Sequence, residues 1–169
     1  MRPISLLERR RIEAGVLVPM IRAFEARFGK EETHDVVRDV VESLARQSGR
    51  DFCEASASED SIDRARELVP AFSADQALEV EVVQDDEDHY GFNVTRCRFA
   101  EFYREMGAAD LGALLSCSRD FALAEALGDD VTLERNQTLL SGCDHCDFRF
   151  RREPEPKDPK AAPSGNAGA

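Results

Sequence analysis

Hydrophobic residues recur along this chain first at helical and then at strand spacing. Leu17, Met20, Ile21, Phe24 and Phe28 fall three or four positions apart, which predicts an amphipathic helix over residues 4–28, ended by Gly29. Pro19 lies inside that pattern and is expected to kink or split the helix. Thr33 has N-cap chemistry for a second helix that buries Val36, Val37, Val40, Val41 and Leu44 and stops by Gly49. Residues 50–61 read as a polar loop, and residues 62–69 as a short helix ended by Pro70.

From Ala77 the period changes to two. Leu78, Val80 and Val82 alternate with Glu79 and Glu81, a strand with one wet face. Asp85, Asp86, Glu87 and Asp88 form an acidic turn. Such a run without a ligand-spaced glycine is a solvated loop before it is a cation site. Residues 90–97 read as a second strand, with Phe92 and Val94 on one face and Asn93, Thr95 and Cys97 on the other. A helix through Phe99, Phe102, Tyr103 and Met106 ends at Gly107. Asp110 then has N-cap chemistry for another, which carries Leu111, Leu114, Leu115, Cys117, Phe121 and Leu127. The run from Val131 to Arg152 reads as two strands joined by a turn at Ser141 and Gly142, with Arg135 among apolar neighbours on the first strand.

The order of elements predicts an α+β fold, a helical N-terminal half packed on a small antiparallel sheet of about four strands. Residues 1–152 are expected to form a single domain. Residues 153–169 hold four of the seven prolines and no large apolar residue, the composition of a disordered tail.

Charge narrows the partners. The net charge of −12 repels phosphate backbones, which argues against nucleic acid. No apolar run approaches the ~20 residues that span a bilayer, and the N-terminus lacks a signal-peptide pattern. Five cysteines in such a chain point to a reducing, cytoplasmic compartment rather than a disulfide framework. A small-molecule substrate is the expected partner, and self-association stays open.

Candidate chemistry sits in three segments. Asn93 and Cys97 share a strand. Cys117 and Asp120 are three apart on a helix, and Cys143, His145 and Cys146 close the last turn. Taken singly, Cys117 in an apolar stripe is a core residue. Cys143-x-x-Cys146 with Cys97 and Cys117 offers four thiolates for zinc, although zinc ribbons generally carry two such pairs. The rival is a thiol nucleophile, with Arg135 or Arg96 lowering its pKa and Asp120 as general base.

The run GFNVTRCRFAEFYREMGAADLGALLSCSRDFALAEAL, followed by ERNQTLLSGCDHCDFRFRR, resembles the L-2-amino-thiazoline-4-carboxylic acid hydrolase family. The matching elements are Asn93, Arg96-Cys97, Gly107, Cys117 through Asp120, Arg135 through Thr138, and Gly142 with Cys146-Asp147-Phe148. The resemblance implies a hydrolase acting on a C–N bond of a small cyclic amidine, giving a carbamoyl-cysteine without a cofactor. Cys117, Asp120 and Cys97 would be catalytic, and Asn93, Arg96, Arg135 and Cys146 would bind substrate. Arg135, or Arg96 after it, would grip the substrate carboxylate. The competing expectation is a non-catalytic ligand-binding module or a cysteine-ligated zinc module.

Overall fold

A computed structural model describes residues 4–153, and the proline-rich tail expected over 153–169 falls, from residue 154 on, outside the described residues. Three helices come first: α1 (Leu6–Phe28), α2 (Lys30–Ala55) and α3 (Ser61–Phe72). Strands β1 (Leu78–Asp85) and β2 (His89–Cys97) follow. Next come α4 (Arg98–Glu105), α5 (Ala109–Gly112), a π-helical turn (Ala113–Cys117) and α6 (Arg119–Ala124). Strands β3 (Val131–Glu134) and β4 (Cys146–Arg152) close the chain. The sheet is antiparallel throughout, in the order β1-β2-β4-β3, so the expected α+β architecture is present.

Local chemistry accounts for the helix ends. Ser5 caps α1, accepting from the Glu8 N–H while the Glu8 carboxylate accepts from the Ser5 N–H. Asp60 caps α3 through the N–H groups of Ile62 and Asp63. Gly29, at φ 94°, is the single residue between α1 and α2, a conformation that favours glycine.

Several expectations from periodicity need correction. Pro19 does not split α1, which is helical from Leu6 to Phe28. Pro70 likewise falls inside α3 rather than ending it. Thr33 is not a cap but a buried residue in the first turn of α2, its hydroxyl without a partner. Helix α2 runs through Gly49 to Ala55, because Gly49 lets it approach Leu123 and Ala126 closely. Only Val41 of the expected α2 stripe is buried, with Val37 partly so; Val36, Val40 and Leu44 are exposed. Asp110 lies within α5 and pairs with Arg22 at 2.6 Å instead of capping. The last two strands do not meet in a tight turn: β3 covers four residues, and residues 135–145 form a wide loop.

The core has two parts. Ile21 and Val41 pack with Phe99, Phe102, Leu111 and Leu115 between α1, α2, α4 and α5. Ile62, Leu123 and Leu127 pack on the inner face of the sheet, where Phe92 stacks on Phe148 with ring centroids 4.9 Å apart. Cys97 and Leu78 touch both clusters, at the seam where the sheet meets the helices.

Candidate functional site

The seam is where the chemistry gathers. Its backbone is set by the π-helical turn, in which Ser118 N–H donates to Ala113 O at 3.0 Å, five residues back. Cys117 ends that turn and Asp120 follows in the first turn of α6. Across from them runs the loop that carries Arg135. Asp147 on β4 holds this loop by accepting from the N–H groups of Asn136 and Gln137 at 2.9 and 2.8 Å. The Leu139 N–H donates to the Cys146 Sγ at 3.2 Å, and Arg104 donates to Leu139 O.

Held this way, Arg135 points inward. Its side chain is 7% exposed, and Nη1 donates both to the Asp120 carboxylate and to Cys117 O, the latter at 3.1 Å. The guanidinium carbon lies 4.9 Å from the Phe121 ring centroid and 5.4 Å from that of Phe148. Nε is buried with no hydrogen-bond partner. A buried donor left open is costly unless something arrives to accept from it.

Three thiols surround this pair. Cys117 lies within electrostatic reach of Asp120, Arg135, Cys146 and Cys97. Burial pushes Cys117 up to about 12, with the nearby Asp120 charge adding to the effect and Arg135 opposing it. Burial raises Cys97 to about 11, partly offset by the Ala100 N–H, and raises Cys146 as well. All three are therefore neutral thiols at physiological pH. Burial also raises Asp120 to about 6, against the pull of Arg135 and Arg119. A carboxyl poised there, 34% exposed at its side chain, can give or take a proton near neutrality.

Of the residues singled out from the sequence, Cys97, Cys117, Asp120, Arg135 and Cys146 come together. Asn93 and Arg96 do not join them. A bulge in the β1–β2 pairing, where Glu79 faces Arg96 but Val80 faces Val94, leaves Thr95 over and reverses the alternation. Cys97 consequently packs with the core, while Asn93 is on the outer sheet face, accepting from Arg149 at 2.8 Å. Arg96 is exposed and paired with Glu79 and Glu101, and it lines a separate polar groove of about 370 Å³ with Arg11 and Arg98. The four-cysteine arrangement is not assembled either. Cys143 sits beside Ser141, and among the described residues no three His, Cys, Asp or Glu side chains converge as a metal would require.

Two residues lie within the matching elements but were given no role from the sequence. Asp147 positions the Arg135 loop, and nothing in strand alternation separates it from a solvated outward acid. Arg119, next to Asp120, is half-buried, which pulls its guanidinium pKa down, and Arg10 lowers it further. It makes no hydrogen bond to a described residue. Its signal was an arginine directly beside the candidate acid.

A helical layer on a four-stranded antiparallel sheet, with a partly open acid–guanidinium–thiol cluster at their seam, defines a small α+β domain built around one polar site. The chain belongs to the L-2-amino-thiazoline-4-carboxylic acid hydrolase family, whose profile matches residues 9–150. No curated protein sequence matches it significantly. The fold is similar to the phenol-responsive sensory domain of the transcription activator PoxR with phenol. The TM-score is 0.54 at 11% identity, covering 80% of this chain and 72% of that one. It is also similar to a trafficking protein particle complex subunit 3 from Naegleria fowleri covalently bound to palmitic acid. There the TM-score is 0.50 at 13% identity, covering 85% and 97%. At these identities the likeness concerns the fold alone. Among the described residues no helix is long and apolar enough to cross a membrane.

Proposed function

We propose that the chain hydrolyses a small cyclic amidine bearing a carboxylate, of the aminothiazoline carboxylate type. The observation that carries this reading is the buried Arg135 whose Nε has no acceptor, beside a carboxyl raised to about 6. The open Nε–H supplies a donor for a substrate carboxylate, which Nη1, occupied by Asp120, would not. The rings of Phe121 and Phe148 flank the guanidinium with apolar surface.

In this reading Asp120 in its acid form protonates the ring nitrogen, making the amidine carbon electrophilic. The resulting carboxylate takes a proton from water as the oxygen adds to that carbon. The tetrahedral adduct then collapses to a carbonyl, the ring C–S bond breaks, and the hydroxyl proton passes to sulfur. A thiol leaves more readily than an amine nitrogen, so C–S cleavage is expected over the C–N cleavage that the resemblance first implied. Cys97, Cys117 and Cys146 stay protonated and line the site; Cys117 would attack only if Asp120 first took its proton.

The test is incubation of the purified chain with the aminothiazoline carboxylate, following loss of substrate and appearance of a free thiol. Turnover that Asp120→Asn abolishes supports the reading. A Cys117→Ala rate within about tenfold of wild type assigns the attack to water, and a loss beyond about a hundredfold assigns it to sulfur. A free amine instead of a thiol would identify C–N cleavage.

A second reading is favoured by the raised thiols: a binding module that holds a small molecule without reacting. A domain of similar fold holds phenol. Saturable binding of the same compound with no turnover would establish it.

A further inference from the structure

Helix α1 carries more apolar surface than the fold covers. Between Glu13 and Arg22 its residues are Ala, Gly, Val, Leu, Val, Pro, Met and Ile, two turns without a polar side chain. A helix apolar all round belongs inside a protein. Yet in this stretch only Ala14 and Ile21 are buried, with Val18 partly so. Ile12, Val16, Met20, Phe24 and Phe28 form one exposed row at four-residue spacing, 63% exposed at Ile12 and 55% at Phe28. Helix α2 presents a second such row, Val36, Val40 and Leu44. Rows of this spacing are the ridges by which helices interlock.

We propose that this face is where two copies of the chain pair, α1 lying antiparallel to the partner's α1 across a two-fold axis at Met20. The row is symmetric about Met20, so the axis lays it on itself. Ile12 meets the partner's Phe28, and Val16 meets the partner's Phe24. The same operation sets Arg27 opposite the partner's Glu13. Arg27 otherwise lies only over the Phe28 ring, 5.4 Å from its centroid, with no ion pair to a described residue. The five α1 positions stand between 43% and 63% exposed in one unbroken row, the contiguous apolar surface that marks an interaction face rather than scattered single side chains. The net charge of −12 opposes a close second copy at long range, but the α1 row itself is uncharged, so added salt strengthens the pairing.

The experiment is light scattering of the full chain after size exclusion at tens of micromolar. The expected mass is twice 18.8 kDa. Met20→Glu puts two carboxylates at the axis and weakens association at least about a hundredfold, leaving a folded monomer because Met20 is exposed. Met20→Cys forms an inter-chain disulfide under a mild oxidant, whereas Val83→Cys, exposed on β1, does not. A wild-type monomer, a dimer indifferent to Met20→Glu, or equal cross-linking at both positions overturns the proposal. So does a monomer that sediments with phosphatidylcholine or phosphatidylglycerol vesicles, which would assign the face to a lipid surface.

Discussion

Arg135 and Asp120 are joined through Nη1 while Arg135 Nε donates to nothing, so the strongest buried pair of the site is also incompletely satisfied. The pairing orients the guanidinium, and two aromatic rings flank it. A buried Nε–H left open carries a desolvation cost that a fully paired arginine would not.

Removing Arg135 should therefore be costly. Arg135→Ala strands a carboxylate in a largely apolar seam and frees the Cys117 carbonyl, and breaking one side of such a pair destabilises by about 2–3 kcal/mol once partial exposure is allowed for. For a chain of this size that is a fall of roughly 5–10 °C in melting temperature. Arg135→Lys should recover only part of this, because a shorter side chain ending in a compact ammonium lacks the planar guanidinium that lies against Phe121 and Phe148. A Tm within a degree of wild type would refute the role.

The Asp120 carboxyl gives a pH dependence of definite sign. Its pKa is raised by burial from an ordinary 3.8 to about 6, so between those values the folded chain keeps a proton the unfolded chain has lost. Stability contributed by this group is full below pH 4, falls as pH rises towards 6, and is level above. Wild type should lose melting temperature relative to Asp120→Asn across that window, the difference isolating this carboxyl from the depressed Asp86 and Asp110. A difference that is flat, or that grows in the other direction, would mean Asp120 is ionised throughout.

The sequence made the alternating strands, the helix near Phe102 and the glycine turn at Gly142 legible, because each follows from local period or backbone freedom. It did not disclose which side of α1 and α2 the fold covers. Periodicity says that a stripe is apolar, not what lies against it, and Val36, Val40 and Leu44 proved exposed. The convergence of Cys97, Cys117, Arg135 and Cys146 spans four elements and depends on a bulge that a strict two-residue alternation hides. Asn93 was grouped with Cys97 for the same reason, although its own face was read correctly.

Thiol reactivity separates the cysteines whose thiols are raised from the cysteine of the wide loop. Cys53, Cys97, Cys117 and Cys146 are all raised by burial, whereas Cys143 sits in the wide loop beside Ser141. A thiol reagent at pH 7.5 should label Cys143 first, and Cys143→Ala should remove the fast phase. Cys117 should label only on unfolding. If peptide mapping finds Cys117 modified first, its thiolate is populated and the sulfur-attack route becomes the leading one.

Gly49 offers a clean contest between propensity and packing. Alanine is better than glycine inside a helix by about 1 kcal/mol, so Gly49→Ala would stabilise an isolated α2. In the folded chain, however, a Cβ there would stand 2.6 Å from the Ala126 Cβ and 2.9 Å from Leu123 O. The carbonyl is backbone and cannot swing aside, so α2 must move away from α6. Overpacking of this kind costs about 1–3 kcal/mol, enough to outweigh the propensity gain. Because α6 carries Asp120, the shift should also disturb the Asp120–Arg135 pairing and lower turnover or ligand affinity along with stability. Gly15→Ala, which meets nothing within 4 Å on the exposed side of α1, is the matched control and should stabilise slightly. Equal effects of the two substitutions would show that the α2–α6 approach is looser than the contact at Gly49 implies.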